Sequence, residues 1–317
     1  MRIMKTTKDS IHVRPPQKEI SMFAWLELIL LGLIWGASFF SIRIALNEIP
    51  FLTSVLHRTM WAMLFLWAVI LIMKLQIPLN PQIWFSFLIM GLLNNAIPFS
   101  LMAWAQLHVE TGLISILNSS TAVFSVITAA LFFADERLTI HKTVGVLMGF
   151  TGVIFAIGIE NIQQLNLKSL AQIAIIVGTL FYALASVWGR IKLVGLSPQV
   201  SAAGMLTMST VFIFPVVIII DGPIQFVLMP TTWLAIGYYS IIATAVAYLL
   251  YFRILAKAGS SNVMLVTLMI PPVAILLGSI FLVEKLPATA FFGFALLAIG
   301  LIILDKRIIN KVLFQKQ

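Results

Sequence analysis

Apolar residues fill the chain in long runs that polar or turn-forming residues interrupt only briefly. A helix crosses the hydrocarbon core of a bilayer with about 20 mostly apolar residues, so each run of that length predicts one transmembrane helix. Nothing between the runs is long enough to form a soluble domain. The pattern predicts ten spans, at residues 24–46, 51–73, 82–107, 111–134, 138–159, 169–194, 200–220, 231–257, 259–283 and 287–305.

The composition agrees with a protein that lives in a lipid bilayer. Of 317 residues, 61% are hydrophobic and 10% are charged, with a mean hydropathy of +1.07. A soluble core cannot bury so much apolar surface. The expected fold class is therefore an all-α integral membrane protein.

The net charge of +9 follows the predicted topology. Of the 20 Lys and Arg residues, Arg58 lies within the second span and Arg43, Lys168 and Lys285 lie on one side of the membrane, which leaves sixteen on the side of both tails. Positive residues concentrate on the cytoplasmic side, so both termini are expected there, in the plasma membrane, which is the inner membrane if the cell is bacterial. This distribution accounts for the basic charge without a nucleic-acid partner.

Two short acidic motifs, "ADERL" and "VEKL", each follow an apolar run and place Glu136 and Glu284 148 positions apart. Shifting the chain by 147 to 149 residues also aligns Trp35 with Tyr182. We predict two homologous five-helix halves, and five is odd, so the halves have inverted topology, as in many transporters. Each glutamate precedes the next helix, whose positive dipole end it is expected to complement in a structural role. The predicted segments are a tail at 1–22, repeats at 23–160 and 168–305, and a tail at 306–317.

Three motifs carry a resemblance to a known family: "GLIWGASFFSIRIAL", "AQLHVETGLISILNSSTAVFSVITAALFFADERLT" and "MIPPVAILLGSIFLVEKL". With these the chain resembles the EamA family of the drug/metabolite transporter superfamily. The resemblance implies ten helices, cytoplasmic termini, and a central cavity lined by the first, third, fourth, sixth, eighth and ninth helices. It also implies export of small metabolites, amino acids or toxic compounds. The chain departs from the family at Ala122, where members usually carry proline, and at Asp135 and Val283, where they usually carry glycine.

Polar residues in the third span are candidates to line this cavity, because polar groups are costly in hydrocarbon. Asn95 and Phe99 lie four residues apart and therefore share one helical stripe. Pro98 cannot donate a hydrogen bond, so it frees the carbonyl of Asn94 beside that stripe and has a structural role. A freed carbonyl has to be buried in protein or face a wet cavity.

The fourth and ninth spans repeat this arrangement. Asn118 lies on a small, polar face of the fourth span, and Pro271 frees the carbonyl of Thr267 in the ninth. Cavity lining competes with a second interpretation, in which small and polar residues let helices pack closely and bond to one another.

Three aromatic residues are further cavity candidates. Trp35 and Tyr182 occupy equivalent places in the two halves, and Tyr248 lies within the eighth span. Aromatic rings can hold flat or amphipathic solutes, or cations against their faces. Most of the other aromatic residues are expected to face lipid or the core.

Few ionisable residues lie within the spans. Glu27 and His57 are the candidates for proton or ion coupling, although Glu27 lies near a helix end and no carboxylate lies at a span centre. Arg58 is interpreted as structural, either reaching outward or binding carbonyls. No metal-ligand or cofactor motif is present.

Other functional classes fit less well. An intramembrane enzyme would need an H-E-x-x-H zinc site, an aspartate pair or an activated serine, and the sequence has none of these in its spans. A channel would be expected to carry rings of charge. A sugar-phosphate or nucleotide-sugar carrier would need central Lys or Arg, where Arg58 alone is available. We predict a secondary transporter that exports small metabolites, amino acids or amphipathic drugs, in a homodimer or alone.

Overall fold

The computed structural model describes residues 22–133, 139–157, 167–258 and 266–304. Every regular element in these ranges is a helix, so the predicted all-α class is confirmed. Glu136 and most of both tails lie outside the described residues.

The helices follow the apolar runs of the sequence, with turns of a few residues between most of them. The helices are α1 Met22–Ala45, α2 Phe51–Ile72, α3 Pro81–Ala105, α4 Thr111–Phe132, α5 Ile140–Ile157, α6 Leu167–Lys192, α7 Pro198–Ile220, α8 from Pro230 to Ala258, α9 Val266–Phe281 and α10 Ala288–Leu304. Two of them contain π-helical segments, Leu92–Ala96 in α3 and Tyr238–Val246 in α8, and α4 is interrupted at Ser119.

Seven helices of the described ranges are long and apolar enough to cross a membrane, namely α1 to α4 and α6 to α8. The remaining apolar segments are shorter, at Lys142–Ala156, Met269–Phe281 and Ala288–Gly300. The chain is therefore a multi-pass membrane protein, and each predicted span overlaps one of these helices.

Two helices, α3 and α7, begin where the sequence supplies a cap. The side chain of Asn80 accepts a hydrogen bond from the Gln82 N–H at 2.8 Å, just before α3. Ser197 caps α7 in the same way, and proline follows each cap at the first helical position. Proline fits there because its missing N–H has no helical partner to lose.

Close contacts between glycines join α5 to α10. A β-carbon on Gly152 would lie 2.6 Å from the carbonyl oxygen of Gly293, and one on Gly300 would lie 2.8 Å from that of Gly145. The two backbones therefore approach so closely that only glycine fits, as in other tightly packed membrane helices. α2 packs along α7 in a separate side-chain core that also includes α3.

Candidate functional site

The two π-helical segments lie inside the bundle and bring polar side chains together. π segments are rare and are frequent at functional sites. Displacing residues 92–96 by 148 positions gives 240–244, which falls within Tyr238–Val246. Pro98 is buried just after the first segment, where its missing N–H interrupts the helical hydrogen bonds. The side chains around both segments form what we call the central polar cluster: Arg58, Asn94, Asn95, Phe99, Thr244 and Tyr248.

Arg58 provides the positive charge of this cluster. It lies seven residues into α2, about 10 Å along the helix. Its Nε–H donates to Thr244 Oγ1 at 2.9 Å, and its guanidinium lies 3.8 Å from the centre of the Phe99 ring. Within the described ranges no carboxylate pairs with Arg58, and its Nη1 and Nη2 bind no protein acceptor yet remain accessible. Two charged donor groups are therefore open to a further partner.

The asparagines hold the other side of the cluster. Tyr248 donates its hydroxyl to Asn95 Oδ1 at 2.9 Å, and Asn94 Nδ2 donates to the Tyr248 hydroxyl at 3.0 Å. Asn95 Nδ2 in turn donates to Ser209 of α7 at 3.2 Å. Asn95 is completely buried and has partners on both ends of its amide. Its side chain thus ties α3 to α7 and α8, while Asn94 remains partly accessible.

Side chains at the cluster are not completely buried. Arg58, Tyr182 and Tyr248 each keep part of their surface accessible. Tyr182 packs in the same core as Phe99, and among described residues its accessible hydroxyl has no hydrogen-bond partner. Aromatic surface and unused donors are therefore accessible at this place in the bundle.

Trp35 borders the same region from α1. Its indole N–H donates to the Ala243 carbonyl at 3.1 Å, directly beside Thr244, and its ring lies 5.9 Å from that of Tyr251. The carbonyl belongs to the π-helical segment of α8. Trp35, Asn95, Phe99, Tyr182 and Tyr248 are thereby brought into one region of the bundle.

Asn118 and Thr267 lie at a second place, where α4 meets α9. The Ser119 hydroxyl donates to the Thr267 carbonyl at 2.8 Å. Pro271 frees this carbonyl, so the protein itself supplies its partner. The amide of Asn118 is accessible and makes no hydrogen bond to a described residue. No described contact connects it with the central polar cluster.

The two residues suggested for ion coupling have protein partners. Glu27 pairs with Arg253 at 2.8 Å and so links α1 to α8 near one end of the bundle. His57 is completely buried, and its Nδ1 accepts from the Trp61 indole N–H at 3.1 Å while the Trp233 ring contacts it edge-on. Both side chains join helices in this conformation.

Glu284 binds a different helix from the one that the sequence suggested. Its carboxylate accepts hydrogen bonds from the Thr111 backbone N–H at 3.0 Å, the Thr111 hydroxyl at 2.8 Å and the Gly112 N–H at 3.4 Å. These groups begin α4, so the expectation that Glu284 complements α10 was wrong. The reason is that the turn before α10 folds back against α4, which only the tertiary structure determines.

A cavity of about 320 Å³ opens beside this contact, lined by Gly112, Ile275, Ser279, Glu284, Lys285, Leu286 and Phe291. It lies at the start of α4, and none of its lining residues belongs to the central polar cluster. The carboxylate in its wall already binds the start of α4.

The sequence did not predict the central position of Arg58 in this cluster, or Thr244 and Asn94 as side-chain partners. One signal was present: Arg58 is the one Lys or Arg in the interior of a predicted span. Thr244 and Asn94 carried no such signal, because their roles depend on where α3 and α8 become π-helical.

Comparison with known proteins agrees with the fold. Residues 22–158 and 169–304 match the model of the EamA-like transporter family. The chain is 22% identical to the uncharacterized transporter YoaV of Bacillus subtilis, covering 87% of this chain and 94% of that protein. It is 23% identical to a probable amino-acid metabolite efflux pump of Escherichia coli, covering 87% and 92%.

A solved crystal structure has the same fold, with a TM-score of 0.66 and 18% sequence identity, over 91% of this chain and 99% of that one. The matched family and the named relatives are transporters and not enzymes, so the predicted non-enzymatic membrane transport function is confirmed.

Proposed function

The chain belongs to the EamA-like transporter family, and we propose that it is a secondary transporter of the inner membrane that exports small metabolites, amino acids or amphipathic compounds. We further propose ten membrane-spanning helices in two inverted repeats, with both termini cytoplasmic. The names of relatives support this: one is an inner membrane transporter, YedA, and another is a probable amino-acid metabolite efflux pump, both of Escherichia coli.

The observation that carries the proposal is the relation between the two halves. After a shift of 148 residues the π-helical segment of α3 falls within that of α8. The same shift converts the contact of Gly152 with Gly293 into that of Gly300 with Gly145. Ser119, which binds the Thr267 carbonyl, lies 148 residues from Thr267. Equivalent groups therefore meet across an approximate two-fold axis, which supports alternating access by exchange of two similar conformations.

In this proposal the solute binds beside the central polar cluster and the halves rock about it. Trp35, Phe99, Tyr182 and Tyr248 supply aromatic surface, and Asn95 positions Tyr248. Asn118 and Thr267 lie where α4 and α9 meet, and are proposed to contact the solute as the helices move. This movement is also proposed to expose Glu27 or His57 if protons drive export.

The test is solute flux into everted membrane vesicles, with amino acids, amphipathic cations and nucleobases as probes, with and without a proton uncoupler. Vesicles from cells that lack the protein are the control. We expect saturable accumulation of one solute class that needs the protein. Accumulation that the uncoupler abolishes would indicate proton coupling and point to Glu27 and His57. Flux that the uncoupler does not change, but that solute on the opposite side accelerates, would indicate an exchanger. Flux equal to that of control vesicles for all probes would contradict the proposal.

A further inference from the structure

Among the residues that the structure describes, no carboxylate acts as a counter-ion to the charge of Arg58. An arginine within a membrane costs at least several kcal/mol unless charged or polar groups surround it. Glu27, Glu48, Glu110, Asp221 and Glu284 each bind other groups. Phe99 covers one face of the Arg58 guanidinium and Thr244 accepts from its Nε–H, but neither brings a negative charge.

We propose that Arg58 binds the carboxylate of the transported solute, an inference that rests on the proposed transport function and narrows its substrate class to monoanionic carboxylates and amino acids. The two accessible groups, Nη1 and Nη2, form the fork that pairs with both oxygens of a carboxylate. Phe99 and Thr244 hold the guanidinium so that the fork is ordered before the solute arrives.

The surroundings favour a carboxylate over a phosphate. A phosphate monoester carries close to two negative charges, so a second cation would be expected beside Arg58. The other basic side chains of the described helices lie toward helix ends: Arg43 donates to the Gln106 carbonyl, Arg253 pairs with Glu27, and Lys168 pairs with Glu110. One central cation therefore matches one negative charge.

Side chains beside Arg58 indicate the chemical character of the rest of the solute. Tyr182 packs in the same core as Phe99, on whose ring Arg58 stacks, and its accessible hydroxyl can donate a further hydrogen bond. Trp35 and Tyr248 add aromatic surface on the α8 side. A carboxylate attached to a flat or aliphatic body fits this arrangement.

The experiment compares two probes of nearly equal shape, 3-phenylpropionate and its uncharged amide, 3-phenylpropanamide. Binding to the purified full-length protein is followed by intrinsic tryptophan fluorescence at constant pH. We expect the acid to bind more than about tenfold tighter than the amide, because a charged, hydrogen-bonded pair is lost in the amide. Equal affinities, or no saturable binding of the acid, would overturn the inference.

Variants test the residue. Arg58→Gln should abolish the preference for the acid, and Arg58→Lys should retain part of it, because lysine keeps the charge but loses the fork. The matched control is Arg190→Gln. The guanidinium of Arg190 also stacks on a phenyl ring, 4.0 Å from the centre of the Phe133 ring, but this arginine is exposed near a helix end. If Arg58→Gln does not fold, the inference is tested by two comparisons: the affinities of the wild-type protein for the acid and the amide, and the same two affinities for Arg58→Lys. Arg58→Gln that keeps the preference would refute the assignment.

Three further outcomes distinguish a carboxylate from a phosphate ligand, and the inference about Arg58 from the proposed transport function. Phenyl phosphate that binds more tightly than 3-phenylpropionate would replace the carboxylate with a phosphate and overturn the inference. Saturable flux of solutes without any preference for a carboxylate would also overturn it, while leaving the transport function intact. Absence of flux for every probe would count against the transport function itself.

Discussion

Replacing Glu284 with alanine should destabilise the contact between the α9–α10 turn and α4. The carboxylate accepts two good hydrogen bonds, at 3.0 Å and 2.8 Å, and one weaker bond at 3.4 Å, all from the first residues of α4. Hydrogen bonds to charged groups contribute about 1.5 to 3 kcal/mol each, and the helix dipole adds about 0.3 to 1 kcal/mol. Because Glu284 is partly exposed, the lower values apply, for a total loss of about 3 kcal/mol.

The assay is thermal unfolding of the detergent-purified protein. At roughly 2 °C per kcal/mol for a chain of this size, Glu284→Ala should lower the melting temperature by about 6 °C. Glu284→Gln should lower it about half as far, since an amide keeps one acceptor oxygen but no charge. Lys285→Gln is the control, because it changes the neighbouring charge without touching α4.

A double-mutant cycle decides whether the effect arises from this contact. Thr111→Val removes the hydroxyl that donates to Glu284 at 2.8 Å. If the two side chains interact as described, the effects of Glu284→Ala and Thr111→Val will not add. Additive effects, or a melting temperature for Glu284→Ala equal to that of the wild type, would refute the reasoning.

Three further predictions concern backbone strain, helix packing and transport. Val283→Gly should raise the melting temperature by a few degrees, because Val283 has a φ of 57°, a region that costs a β-branched residue about 1 kcal/mol or more; an unchanged or lower value would contradict this. Gly152→Ala should destabilise the folded protein by about 1 to 3 kcal/mol, because its β-carbon clashes with the Gly293 carbonyl. Gly189→Ala is the control and should not destabilise the protein, because its β-carbon meets atoms no nearer than 3.6 Å. Similar melting temperatures for the two variants would argue against the close α5–α10 packing. Asn118→Leu should reduce vesicle transport without loss of membrane insertion, and unchanged transport would remove Asn118 from the site.

The helices were predictable because a bilayer imposes a simple rule on the sequence. Each crossing needs a long apolar run, and the turns between runs are marked by caps such as Asn80 before Pro81. The family was predictable from motifs that lie on helix-packing and turn positions. Val283 illustrates how far this reaches: the sequence marks it as a departure from the glycine of relatives, and the structure places it at a positive φ, which glycine adopts freely.

The candidate site was less predictable because it depends on helix geometry within the bundle. An ordinary helix of 3.6 residues per turn puts Asn95 and Phe99 on one stripe, but the π-helical segment between Leu92 and Ala96 changes which neighbours they meet. Asn95 binds Ser209 and Tyr248, whereas Phe99 stacks under Arg58. No spacing rule connects residues from α2, α3 and α8.

The described conformation is held together on one face by carboxylates that bind helix starts across the bundle. Glu284 binds the start of α4, Asp221 accepts from the Thr53 backbone and hydroxyl at the start of α2, and Glu48 accepts from the Met229 N–H before α8. In the proposed ten-helix topology, successive helices run in opposite directions, so all three contacts fall on the same side of the bundle. Under alternating access, opening this side has to break them, at a combined cost of several kcal/mol. A solute that binds Arg58 can offset this cost only by its difference in affinity for the two states, and equivalent contacts formed on the opposite side would offset the rest.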